Sequence, residues 1–260
     1  MHCFNRLKTK PFLHLFLLST LLVAQVSHAA LALDRTRLIF NQTSDLEVLQ
    51  VRNPIDLPFL AQSWISSRDH ELNEDEELLP FLVVPPVTRI EGFDYAAIRI
   101  QRLSESESLP DDRESVFYFH LREIPPKPSE ALGPVNDISA NGSIQLAFES
   151  VIKMFYRPNS IAKIKNVDYE VAQNLSIEQK ASSSTLHNHS PFHVTVFAIQ
   201  DLDDEDIHSI NSFMVSPFST IDIELPKREG YKITTINDYG AQVSNQYNCA
   251  NDQCRFTNFQ

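Results

Sequence analysis

The most regular feature of the chain is an alternation of apolar and polar residues in short segments. Segments 97–102, 116–122 and 220–225 each place an apolar residue at every second position. In the second of these, Phe117, Phe119 and Leu121 share one face of an extended chain. A period of two is typical of half-buried strands. Because helical periodicity is hard to find anywhere, the pattern predicts an all-β protein.

Turn signals separate the predicted strands. They include Asn53-Pro54, Pro85-Pro86, Pro125-Pro126 and Asn141-Gly142. Many short strands with frequent turns indicate β-sandwiches.

The chain divides after Pro158, where a polar stretch to Lys165 suits a linker. A second set of strands is predicted beyond it, at residues 194–199, 213–215, 220–225, 232–237 and 255–259. The length exceeds the usual domain of about 100–150 residues, which also favours two domains. We therefore predict one domain at residues 30–161 and a second at 166–260.

The first 29 residues have the features of a secretory signal peptide. Arg6, Lys8 and Lys10 precede an apolar run at 15–23, and Ala29 stands at a small-residue cleavage site. The run is about half of the ~20 residues that a membrane span needs. We predict cleavage after Ala29 and no membrane insertion afterwards; a retained anchor is the alternative.

Charge narrows the range of partners. The chain has a formal charge of −12, and residues 1–29 hold three of its 22 Lys and Arg and none of its 34 acids, so the remainder carries −15. Nucleic acids and anionic membranes present phosphates, which such a charge repels. We predict neither as a partner.

Two cysteines remain after the leader is removed. Cys249 and Cys254 lie near the end of the chain, while Cys3 leaves with the leader. In a secreted protein one such pair predicts a disulfide. A free thiol pair or half of a metal site is the alternative, although zinc prefers four ligands and no other cysteine is present.

Several runs, taken together and in order, resemble the PapD-like periplasmic pilus assembly chaperones. They are LDRTRLIF at 33–40, NPIDLPFLAQSWI at 53–65, PPVTRIE at 85–91, DRESVFYFHLREIPP at 112–126, KMFYRP at 153–158 and INDYG at 236–240. The resemblance implies two immunoglobulin-like β-sandwich domains set at an angle, with a cleft between them. It implies a periplasmic chaperone that binds, folds and caps pilus subunits by donor-strand complementation and delivers them to an outer-membrane usher. No enzymatic activity and no cofactor are expected.

The resemblance also implies roles for individual residues. Arg37 and Lys153 match the two cationic anchors that bind the carboxyl terminus of a pilus subunit, and Arg and Lys suit a carboxylate. Arg35 would share a face with Arg37, but the motif favours Arg37. Lys153 lies in an apolar run, so a snorkelling edge residue is the alternative to a functional charge.

The donor strand is expected just before Lys153. Ile144, Leu146 and Phe148 match the groove-filling positions, in a strand predicted from Gly142 onward. A strand whose apolar face packs on its own core is the alternative. The preceding connection, residues 127–141, is longer than in short-loop members of the family and leaves the subclass open.

A charge network between the domains is implied as well. Glu114, Arg157 and Asp238 match its members, and buried opposite charges can fix a domain angle. Three separate surface charges are the alternative.

Other functions have weaker support. His187, His189 and His193 could begin a metal site, but exposed histidines are the simpler interpretation, because a metal site needs a complete ligand set. The acidic run at 201–206 lacks the glycine and terminal glutamate of a calcium loop. No hydrolase, metalloprotease or nucleotide-binding motif occurs. A pilus subunit would typically be one domain with an N-terminal donor extension, whereas this chain is long enough for two. Because neither the histidines nor the acidic run offers a complete ligand set, we predict no metal.

Overall fold

The computed structural model describes residues 31–67, 79–127, 146–180, 183–202 and 211–259. The described residues before 158 form nine strands and a short 3-10 helix at Ser104–Ser108. The strands are β1 Ala32–Leu33, β2 Arg37–Asn41, β3 Leu46–Arg52, β4 Phe59–Ser66, β5 Phe81–Val84, β6 Val87–Ile90, β7 Tyr95–Arg102, β8 Ser115–Ile124 and β9 Glu149–Arg157.

These strands form the first domain, a sandwich of two sheets. One sheet has the order β1-β3-β7-β5 and the other β2-β9-β8-β4-β6. All neighbours are antiparallel except β2 and β9, which run parallel. The inward positions of both sheets, such as Leu49, Ile98 and Phe119, are fully buried. The alternation in sequence therefore becomes one core between the sheets.

After residue 158, the described part of the chain adds one α-helix and eight strands. They are α1 Val167–Asn174, β10 Leu175–Gln179, β11 Ser184–Asn188, β12 Val194–Asp201, β13 Phe213–Val215, β14 Ser219–Ile223, β15 Gly230–Ile236, β16 Gln242–Ala250 and β17 Gln253–Phe259.

The second domain is built from one sheet of eight strands. Its order is β13-β12-β15-β16-β17-β10-β11-β14. The edge strands β13 and β14 follow each other in the chain, so the sheet must bend round on itself to bring its two edges together. It encloses a separate core that contains Phe192, Tyr231 and Tyr247.

The prediction of two immunoglobulin-like β-sandwich domains is confirmed. The sequence pattern did not predict α1, which begins at an Asn166 cap whose side chain accepts a hydrogen bond from the Tyr169 N–H. It also missed β10, β11 and β16. In β16 only two side chains, those of Asn245 and Tyr247, are fully buried, so its apolar signal is weak.

A hairpin near the end of the chain contains the cysteine pair. Cys249 of β16 and Cys254 of β17 stand opposite each other and are joined by a disulfide. Asn251 and Asp252 form the two-residue turn, and both have positive φ angles, 51° and 64°. A type I′ turn requires this conformation, which Asn and Asp tolerate well.

Tyr247 links the second core to α1. It is fully buried, and its hydroxyl donates to the carbonyl of Ala172 at 3.0 Å. That carbonyl belongs to the last turn of the helix, where carbonyls lack intrahelical partners.

We expect Tyr247→Phe to lower the free energy of unfolding by about 1–3 kcal/mol. Denaturant unfolding would measure it, with the exposed Tyr239→Phe as a control that should change little.

Candidate functional site

The first element of the site is Arg37, at the start of β2. Its guanidinium Nη1 donates to the carbonyl of Ile236 in the second domain at 3.0 Å, and its Nε is buried without a hydrogen-bond partner. Burial lowers the pKa of Arg37, while the nearby Asp238 and Glu114 act in the opposite direction. Arg37 is thus a partly desolvated cation with an incomplete set of acceptors, which an added carboxylate oxygen could complete.

Lys153 lies directly beside Arg37. The two residues are partners in the parallel pairing of β2 and β9, so their side chains project from the same face of the sheet. Ile152 and Met154 on either side of Lys153 face the first core. The pairing of β8 with β9 keeps one register throughout, so no bulge changes the direction of Lys153. The structure therefore places two cations side by side at the domain junction.

A buried charge group, which we call the junction cluster, lies next to these cations. Arg157 donates to Glu114 through Nε and Nη2, at 3.0 and 2.6 Å, and to Asp238 through Nη1 at 2.9 Å. The Arg157 side chain is 8% exposed and that of Glu114 is 2% exposed. Burial lowers the pKa of Arg157, but its hydrogen bonds and the charges of Asp238 and Glu114 outweigh it, so the pKa is raised.

The junction cluster connects both domains. Glu114 belongs to the first domain, and its carboxylate also accepts the backbone N–H of His193 from the second at 2.8 Å. A cavity of about 20 Å³, enough for one water molecule, lies between Arg37, Asp238 and His193. The arrangement fixes the position of the second domain beside Arg37.

The strand predicted to contain the donor residues begins later in the structure than the sequence indicated. Strand β9 begins at Glu149, so Leu146 and Phe148 precede the strand, and Ile144 lies outside the described residues. The paired register of β8 and β9 ends at Arg122 opposite Glu149, and three further residues in the same register would bring Pro125 opposite Leu146. Proline has no N–H to donate, so the ladder ends here, after one bond from the Glu123 N–H to the Phe148 carbonyl.

The exposure of these side chains bears on their role. Leu146 is 66% exposed and Phe148 is 51% exposed, so neither fills the core of its own domain. Strand β2 pairs with β9 only from Lys153 onward. Among the described residues, 149–152 therefore have no strand neighbour on that edge. An open edge with apolar side chains leads to the two cations.

A polar cluster that the sequence did not predict lies at the start of β9. Glu149 contacts His120 and Arg122, which lie on β8. The alternation had placed His120 and Arg122 on the polar face of their strand, but it carried no signal that Glu149 would stand between them. That contact depends on the register of the hairpin.

The histidines and the acidic run, which were the alternative candidates for a metal site, lie in the second domain. His187 and His189 stack with ring centroids 5.6 Å apart. His193, expected to be exposed, has a side chain only 6% exposed because it packs between Glu114 and Phe155 of the first domain. Within the described ranges, no group of three or more His, Cys, Asp or Glu residues is arranged to hold a metal. Most of the acidic run, from residue 203, lies outside those ranges.

Two family models match the chain over both halves. The N-terminal domain of the pili and flagellar-assembly chaperones matches residues 30–162, and the C-terminal domain of the pili assembly chaperones matches residues 170–247. The chain therefore belongs to the PapD-like pilus assembly chaperones of the chaperone–usher pathway. The family is not enzymatic, as predicted.

Individual chaperones are similar to this chain in sequence and in fold. The chain is 32% identical to the chaperone protein PapD of Escherichia coli over 240 residues, which are 90% of this chain and 92% of PapD. The crystal structure of the CupB2 chaperone of Pseudomonas aeruginosa is 28% identical, with a TM-score of 0.69 over 84% of this chain and all of CupB2. The SafB chaperone of Salmonella enterica, in complex with the SafA pilin, has the same fold at 23% identity, with a TM-score of 0.69 over 86% of this chain and 98% of that one.

In the described part of the chain, no helix has the length and apolarity that crossing a membrane requires.

Proposed function

We propose that this chaperone acts in the periplasm, after cleavage of residues 1–29, and that it caps pilus subunits by donor-strand complementation. The observation that carries the proposal is the open edge of β9, which leads from exposed Leu146 and Phe148 to the cations of Arg37 and Lys153. An open strand edge offers backbone hydrogen bonds to an added chain, and alternating apolar side chains can fill the groove of a subunit.

The cationic end of this edge suits the carboxyl terminus of a subunit. Arg37 has a buried Nε without a partner, and Lys153 adjoins it on the same face. A subunit whose terminal carboxylate binds there would extend its last strand along 149–152, towards Leu146 and Phe148. The carboxylate would thus set the register of the pairing, because a shift of one residue would turn every side chain to the wrong face.

The partners follow from this geometry and from the family. SafB, which has the same fold, is found with a pilin. We infer that this chain binds pilus subunits, and that an outer-membrane usher releases them by exchanging the donated strand for that of the next subunit. No nucleotide is needed, because folding of the subunit supplies the driving free energy.

Charged substitutions in the donor segment, residues 144–148, test the proposal. We expect Phe148→Asp and Leu146→Asp to lower subunit capture at least tenfold, because a carboxylate would have to enter an apolar groove without a partner. Both side chains are exposed, so the stability of the free chaperone should change little. Capture is measured by co-expression with pilus subunits, periplasmic extraction and pull-down.

Phe197→Asp is the matched control. Phe197 is 44% exposed, close to Phe148, but lies on β12 in the second domain. The Phe197→Asp variant should capture subunits as the wild type does. Undiminished capture by the two donor-segment variants would refute donor-strand complementation through these residues.

A further inference from the structure

A polar cluster surrounds the first residue of β9. One carboxylate oxygen of Glu149 accepts a hydrogen bond from His120 Nδ1 at 2.8 Å. The other accepts two from Arg122, through Nε at 3.2 Å and Nη2 at 2.9 Å. On its far side, His120 Nε2 is hydrogen-bonded to Ser66 Oγ at 2.8 Å. Glu149 thus has three donors, two of them in the forked geometry of a guanidinium.

His120 and Arg122, which donate to Glu149, both pack against Trp64. The His120 ring stacks on Trp64 of β4, with centroids 4.8 Å apart and planes 8° apart. The guanidinium of Arg122 lies over the same indole, 4.9 Å from its centre. His120 is 2% exposed although it lies on the outer face of the sheet. Stacking of this kind restricts the rotamers of both donors.

The carboxylate of Glu149 is kept in its charged form. Burial raises its pKa, but the hydrogen bonds from His120 and Arg122 and the charge of Arg122 outweigh that effect and hold the pKa below its ordinary value. The three bonds to the carboxylate therefore persist at neutral pH.

Glu149 is the first residue of β9, directly after the donor segment. Among the described residues before it, the ladder contributes only the bond from the Glu123 N–H to the Phe148 carbonyl, and the paired register ends at Glu149 itself. Glu149 is consequently the last residue before the donor segment whose side chain is fixed by the rest of the domain. Any rotation of β9 at this point would redirect Leu146 and Phe148.

We propose that Glu149 is a positioning residue, which sets the direction and register in which the donor segment leaves the sheet. This inference rests on the proposed function. A segment that starts from a fixed residue loses less conformational freedom when it binds, so a complex forms more tightly than from a free start. The fixed start also keeps apolar side chains on the groove side, where a slip of one residue would reverse them.

The first test uses the free chaperone. Glu149→Ala should accelerate amide hydrogen exchange at residues 148–151, whereas Glu91→Gln should leave those residues unchanged. Glu91 is a matched control, because it also loses a carboxylate in an ion pair, with Arg89 at 2.7 Å. Equal exchange in the Glu149→Ala variant and the wild type would overturn the proposal even if no subunit binds.

The second test uses the complex with a pilus subunit. A cysteine in place of Phe148 is cross-linked to cysteines placed one at a time along the subunit groove. With Glu149 present, one groove position should dominate. In Glu149→Ala, cross-links should spread to neighbouring positions, and complex yield should fall roughly tenfold, equivalent to about 1.4 kcal/mol. Glu149→Gln, which retains an amide oxygen as an acceptor, should recover part of both effects.

The outcomes separate the two proposals. A folded wild type that captures no subunit would refute the proposed function, while the exchange measurement would still decide whether Glu149 fixes the start of β9. Capture with an unchanged cross-link pattern in Glu149→Ala would overturn the positioning role. A loss of yield that merely follows a lower melting temperature, with one dominant cross-link, would likewise assign Glu149 to stability alone.

Discussion

Replacing Arg157 with alanine is expected to lower the free energy of unfolding by about 3–5 kcal/mol, a large part of the 5–15 kcal/mol typical of a domain. The substitution removes the only guanidinium of the junction cluster and leaves the Glu114 carboxylate, 2% exposed, without its charged partner. Because Asp238 belongs to the second domain, the two hydrogen bonds from Arg157 to that domain are lost as well.

Two controls make this measurement specific. Arg89→Ala removes an exposed ion pair with Glu91 and should cost less than about 1 kcal/mol. Arg157→Ala combined with Glu114→Gln should be less destabilising than Arg157→Ala alone, because no buried charge is left unpaired. Denaturant unfolding followed by domain-specific probes measures both, since a two-domain protein need not unfold in one step. A loss no larger than that of Arg89→Ala would contradict the structural role of Arg157.

Loss of either anchor cation should abolish subunit capture. In Arg37→Ala or Lys153→Ala, a bound carboxylate would lose one of two adjacent cations at the domain junction. Truncating one partner of a buried charge pair costs about 2–5 kcal/mol, equivalent to a factor of roughly 30 to several thousand in affinity. A complex weakened to this extent would not survive pull-down.

The neighbouring Arg35 provides the control for the anchors. It is exposed and forms an ion pair with the adjacent Asp34, at 2.9 Å. Arg35→Ala should therefore capture subunits normally, while circular dichroism confirms that all three variants are folded. Capture by Lys153→Ala, or its loss in Arg35→Ala, would refute the assignment of the carboxylate to Arg37 and Lys153.

Much of the fold could be predicted because strand alternation is a local property. The face that holds Phe117, Phe119 and Leu121 is buried, as the period of two indicates. Strand β13 has the predicted bounds, residues 213–215. The helix α1 was missed because it has eight residues, of which only Val171 and Ala172 are buried. A stripe this short leaves too little periodicity to recognise.

The sequence named the residues of the candidate site but did not indicate their contacts. Family motifs pointed to Arg37, Lys153 and the junction cluster, yet Arg157 and Asp238 are 81 residues apart in the chain and meet only when the domains pack. Likewise, a pattern of alternating residues does not reveal that β9 begins only at Glu149, after Leu146 and Phe148. Strand β8 ends at Ile124, just before Pro125, which has no N–H to continue the pairing.

By itself, therefore, the sequence determined which residues alternate, where the turns fall, that the chain forms β domains, and which family the motifs resemble. The tertiary structure alone decided which faces meet and in what register. It brought Glu149 between His120 and Arg122, exposed Leu146 and Phe148, and left Arg37 with an unpaired nitrogen at the domain junction. The reason is physical: strand periodicity assigns a residue to a face, whereas pairing and burial depend on segments far apart in the chain.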